Sequence, residues 1–107
     1  MPLGDDADKV RLLQADAEQG EARAQRHLAN RYLRGQGVPE DAARAVYWMG
    51  QAAEAGLPAA QRSYGEFLEQ GVAGAADPDQ ARQWYRRAAE RGDRIARQHL
   101  QRLADPE

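Results

Sequence analysis

The chain has 107 residues, 42% hydrophobic and 30% charged, with a net charge of −2 and no cysteine. That length carries one modest core and excludes two independent ones, and the missing cysteine excludes disulfides and thiol chemistry. No apolar run approaches the roughly 20 residues of a membrane-spanning helix. The acidic, polar opening MPLGDDADKV is not a secretory signal. The expected compartment is the cytoplasm, or the periplasm or exterior if Met1 was added to a mature fragment.

Alanine, arginine, glutamine, glutamate and leucine dominate, so helix propensity is high nearly everywhere, and no strand signal appears. The first helix is expected over 5–19. The second runs over 22–34, with Ala24, Leu28 and Tyr32 spaced i, i+4, i+8 on one face, and Gly35 and Gly37 end it by accepting positive φ. The third, over 40–55, carries an apolar stripe of Ala45, Trp48, Met49, Ala52 and Ala53 and stops at Gly56. Pro58 suits the first turn of a fourth helix, where its missing N–H costs nothing, and this helix extends to about residue 70. Asp77-Pro78-Asp79-Gln80 is a full start signal for a fifth helix ending near residue 91. A sixth is expected over 93–104.

These helices repeat. Gly20, Gly56 and Gly92 stand 36 residues apart, and the same step superposes Ala17, Ala53 and Ala89, then Glu18, Glu54 and Glu90, then Ala24, Ala60 and Ala96. It also pairs Trp48 with Trp84, and Leu28 with Tyr64 and Leu100. A period between 20 and 50 residues signals stacked helical units. The single domain over 1–107 therefore divides into a capping helix (5–19), two units (20–55 and 56–91) and a terminal half unit (92–107). In the first helix Lys9 and Asp16 stand where later copies have Ala45 and Ala52, or Ala81 and Ala88. That polar stripe is expected to face water as a solenoid cap.

The stretch AEQGEARAQRHLANRYLRGQGVPEDAARAVYWMGQAAEAG closely resembles the Sel1-like repeat, a relative of the tetratricopeptide repeat. The second copy departs from the pattern at Ala73, Gly74 and Ala75, and the last has Arg97 in place of the usual glutamine. The resemblance implies an all-α fold: a right-handed α–α superhelix of six helices whose concave groove holds a protein or peptide partner. It also implies neither enzymatic activity nor cofactor nor metal.

The residues themselves agree with a non-catalytic reading. Ser63 is the only serine, there is no threonine, and no nucleophile elbow surrounds Ser63. His27 and His99 lie two periods apart, too far to share one ion, and are expected to be solvated or partner-facing. Glu18, Glu54 and Glu90 recur once per unit, which argues for a structural hydrogen bond or ion pair. Leu28, Tyr32, Trp48, Tyr64, Trp84 and Leu100 are the expected core.

The expected binding surface is the stripe beside that core on the first helix of each unit. It comprises Arg23, Arg26 and Asn30, then Arg62, Glu66 and Glu69, then Gln98 and Arg102. Function is thus expected to be that of a scaffold or adaptor for a protein or peptide, one version being an immunity-type inhibitor of a bacterial effector. A bacterial source is expected from the abundance of arginine and alanine, whose codons are GC-rich, with Lys9 the only lysine. Two alternatives rest on the C-terminal part. Seven arginines against two acids over 82–102 could track nucleic-acid phosphates. A thinly covered last helix would permit weak self-assembly in place of a monomer.

Overall fold

The structure, a computed structural model, describes residues 5–104. Its six helices are α1 (Asp6–Glu18), α2 (Ala22–Arg34), α3 (Ala42–Glu54), α4 (Pro58–Gln70), α5 (Pro78–Glu90) and α6 (Arg94–Ala104). No strand occurs among the described residues. The ends match the sequence reading to within two residues, and residues 105–107 of the expected last half unit lie outside the described range.

The helix starts are chemical. Asp5, Asp41 and Asp77 each accept a hydrogen bond from the backbone N–H three residues on, satisfying one of the donors that a helix N-terminus leaves unpaired. Asp93 does the same for Ala96 at 2.8 Å. The corners are conformational. Gly20, Gly56 and Gly92 have φ of 92°, 98° and 96°, values that a side chain would strain. In the corner at Gly56, the N–H of Leu57 reaches back to the Ala52 carbonyl at 3.3 Å, and Glu21 and Asp93 repeat this bond at the other two corners. Buried Gln25 and Gln61 tighten two of the joints by donating to the carbonyls of Ala17 and Ala53. Arg97, standing third in that series, is exposed instead.

Consecutive helices pack in order along an elongated body of 55 × 26 × 18 Å. This is the expected all-α, right-handed superhelix. One row consists of α1, α3 and α5; the other consists of α2, α4 and α6. The helices approach closely because small residues stand at the contacts. Ala45, Ala52, Ala81 and Ala88 are fully buried, whereas Lys9 and Asp16 at the matching places of α1 are exposed, so that stripe of α1 faces water. Gly65 is the extreme case, since a Cβ there would lie 2.6 Å from the Tyr85 ring.

Leu28, Tyr32 and Trp84 are buried, but Trp48, Tyr64 and Leu100 are only half-buried. Trp48 is flanked by a cleft, and Leu100 belongs to the last described helix, which packs on α5 and meets α4 through side-chain ion pairs. Tyr64 packs edge-on against Trp84 with centroids 5.3 Å apart. The second inter-helix loop, despite its altered sequence, closes like the first. Asp77 N–H donates to Leu68 at 2.8 Å, as Asp41 does to Tyr32 at 2.9 Å.

Candidate functional site

The stripe residues all lie on the α2, α4, α6 row, but in two different states. Along the seam between α4 and α6 they pair with one another. Arg62 Nε donates to both carboxylate oxygens of Asp93 at 3.2 Å, with both side chains mostly buried. Glu66 meets His99 Nε2 at 2.9 Å. Glu69 takes two bonds from Arg102, at 2.7 and 2.9 Å, and a third from the Tyr85 hydroxyl at 2.7 Å.

This network has an electrostatic signature. The Arg102 guanidinium, helped by the Tyr85 hydroxyl and working against partial burial, holds the Glu69 carboxyl well below the usual range, at about 2. Tyr85 is pushed up by burial first and by its bond to Glu69 second. Arg102 is raised by the same carboxylate.

Two sequence expectations change here. His99 is not a solvated histidine. It is half-buried, stacks on Tyr85 with ring centroids 4.7 Å apart, and is held between Glu66 and Arg102. The glutamates before each corner do not share one structural bond. Glu18 accepts from Gln14 at 2.7 Å, whereas Glu54 and Glu90 make no side-chain hydrogen bond among the described residues. His27 is exposed, as expected.

Along α2 the same stripe has no such partners. Arg23 is exposed; Arg26 and Asn30 are half-buried. The Nε of Arg26 is buried and unpartnered. The repeat explains why. The residue matching Asp93 is Leu57, the one matching His99 is Ser63, and Leu33 stands where Glu69 does one unit later. Three ionic contacts of one seam therefore have no ionic counterpart in the other. Gln98 on α6 is exposed and outside the network.

The bonded pairs are 31 and 33 residues apart. Applying that offset to the sequence would have picked out the paired set, whereas reading one helix at a time does not. The C-terminal arginines are likewise divided. Arg82 pairs with Asp79 at 3.0 Å, Arg87 lies over the Trp84 ring at 4.4 Å, and Arg102 is in the network. Arg86, Arg91, Arg94 and Arg97 are exposed.

Among the described residues, no group of histidines, cysteines and carboxylates could hold a metal ion. No described helix is long and apolar enough to cross a membrane.

The family model described as the Sel1 repeat matches residues 22–57 and 58–93. Over 90 residues, 82% of this chain and 10% of the relative, the chain is 40% identical to chitin synthase regulatory factor 3 of Schizosaccharomyces pombe. It is 37% identical over 67 residues to the chitin synthase regulator SKT5 of Malassezia restricta, covering 63% of this chain and 5% of that one. The chain thus spans no more than a tenth of these relatives. Among solved structures, a protective antigen of uropathogenic Escherichia coli with an SLR fold superposes at a TM-score of 0.89 and 37% identity, over 95% of this chain and 22% of that one. A Sel1 repeat protein of Oxalobacter formigenes superposes at 0.84 and 38%, over 88% and 71%.

Proposed function

Since the chain belongs to the Sel1-repeat family, whose members are generally protein–protein interaction modules, we propose that it is a non-catalytic module holding a protein or peptide partner on the α2 end of the α2, α4, α6 row. The observation that carries this reading is the contrast at one repeat position. Arg62 is matched by Asp93, whereas Arg26 has a buried Nε with no partner. A buried polar group without a hydrogen bond costs free energy, and the cost is recovered when a bound carboxylate or carbonyl supplies the acceptor. Arginine is suited to that task because its planar fork takes a carboxylate by two bonds. Arg23 and Asn30 flank it on the same stripe, so the partner segment is expected to present an acidic side chain. Positioning or masking that partner is the resulting role, and an immunity-type inhibitor of a bacterial effector is its masking form. Two relatives are named as chitin synthase regulators, which agrees with action through a partner.

The test is capture of binding proteins from the native lysate by the wild type and by an Arg23→Glu, Arg26→Glu variant. Both residues lie outside the ion-pair network, so the variant should fold normally by circular dichroism and lose the partner. A partner retained equally by both would move the site away from α2.

A further inference from the structure

The row made by α1, α3 and α5 carries two repeat-related clefts that are filled differently. The later cleft, between α3 and α5, has a volume of about 420 Å³ and is lined in part by Glu54, Trp84 and Arg87. There the chain covers its own tryptophan, with the Arg87 guanidinium 4.4 Å from the centre of the Trp84 ring. Trp84 is left 6% exposed.

The earlier cleft, between α1 and α3, has a volume of about 520 Å³ and is lined by Gln14, Glu18, Tyr32, Arg44, Tyr47 and Trp48. Trp48 matches Trp84 and Glu18 matches Glu54, but Gln51 stands where Arg87 does and Tyr47 replaces Gln83. Gln51 is exposed and does not line the cleft. Trp48 is consequently only half-buried. Tyr47, 56% exposed, adds a second ring edge-on at 5.1 Å. The one cation on the wall, Arg44, lies 5.7 Å over Tyr32 and 3.6 Å from the Asp41 carboxylate, so its charge is already compensated. Glu18 accepts from Gln14 through one oxygen only. The earlier cleft thus has the tryptophan and the repeat-matched carboxylate of the later one, two further aromatic rings, Tyr32 and Tyr47, and no cation over the tryptophan.

We propose that the cleft between α1 and α3 docks an arginine side chain of a partner protein, which stacks on Trp48 and Tyr47 and pairs with Glu18. The later cleft shows the guanidinium–indole contact that this framework accommodates, and a planar guanidinium is the cation best matched to a ring face beside a carboxylate. Neither Arg23 nor Arg26 enters this cleft, so the assignment stands or falls apart from the α2 surface.

The probe is N-acetyl-L-arginine amide, titrated into the nitrogen-15-labelled chain while both indole N–H signals are followed by NMR, with Trp48→Phe supplying their assignment. The Trp48 signal should move saturably and the Trp84 signal should stay in place. The neutral citrulline analogue should leave both unchanged. Tyr47→Ala and Glu18→Gln, both at exposed positions, should each weaken binding about three- to fivefold, as expected for an exposed cation–aromatic or ionic contact. Gln51→Arg should supply the cation internally and abolish the response. Both indoles moving together, an equal response to citrulline, or an unchanged response in Gln51→Arg would overturn the proposal. So would a Trp48 signal that moves with protein concentration alone, which would make a second copy the occupant.

Discussion

The two halves of this molecule share a backbone plan and use similar side chains in opposite ways. In the C-terminal half the chain answers its own charges: Arg62 with Asp93, Glu66 with His99, Glu69 with Arg102, and Trp84 with Arg87. In the N-terminal half the corresponding places hold Leu57, Ser63, Leu33 and Gln51, and Arg26 and Trp48 are left incompletely matched. The difference teaches that repeat position alone does not assign a role. A repeat-related arginine is tied into the fold when the next unit supplies its carboxylate and is left unpaired when it does not.

The largest expected effect comes from the two tryptophans. Trp84→Ala should destabilise the chain by about 3–5 kcal/mol, in the range for removal of a buried large aromatic. Trp48→Ala should cost less, about 1–2 kcal/mol, because its ring is only partly buried and loses less apolar area from the core. Urea denaturation measures both, and equal losses would mean that the two halves are packed alike.

The arginines at matching positions sharpen the contrast further. Arg62→Ala should cost about 1–3 kcal/mol, since it leaves the mostly buried Asp93 carboxylate without its charged donor. Arg26→Ala should change stability by no more than about 0.5 kcal/mol, because it removes no hydrogen bond from the folded chain. The difference between the two thermal or urea midpoints is the readout; a costly Arg26→Ala would place Arg26 among the structural residues.

A smaller effect concerns pH. The folded pKa of Glu69 is depressed to about 2 from an ordinary value of 4.5. The unfolded chain therefore takes up a proton first as the solution is acidified. The stabilisation from this carboxylate is complete above about pH 4.5 and fades as pH falls toward 2. Glu69→Gln should lower stability at pH 7 by about 1–2 kcal/mol and flatten the decline in that acid window. The same slope in variant and wild type would assign the decline to other carboxylates.

Much of the architecture was legible before any coordinates. The 36-residue step, the aspartate before α5, Pro58 and Pro78, and the glycine corners act through backbone conformation and hydrogen bonds to near neighbours in sequence. The recurring Gln25 and Gln61 were visible as a pattern, but their donation to the carbonyls of Ala17 and Ala53 was not, because it depends on how one helix turns back on the last. The candidate residues fall on one row of helices, yet read in sequence as one continuous groove, although those along the α4–α6 seam are already paired within the chain. Tyr85 illustrates the limit: it is a fully buried ring whose hydroxyl reaches Glu69 across to α4.

By itself, then, the sequence determined that this chain forms six helices in stacked pairs, where each pair turns, and that α1 shows a polar face. Those outcomes rest on propensity, capping and periodicity, which are local. Only the tertiary structure decided which arginines and carboxylates neutralise one another and which tryptophan carries its own cation. Those matches join residues on different helices, and whether two side chains meet depends on the stacking of the units.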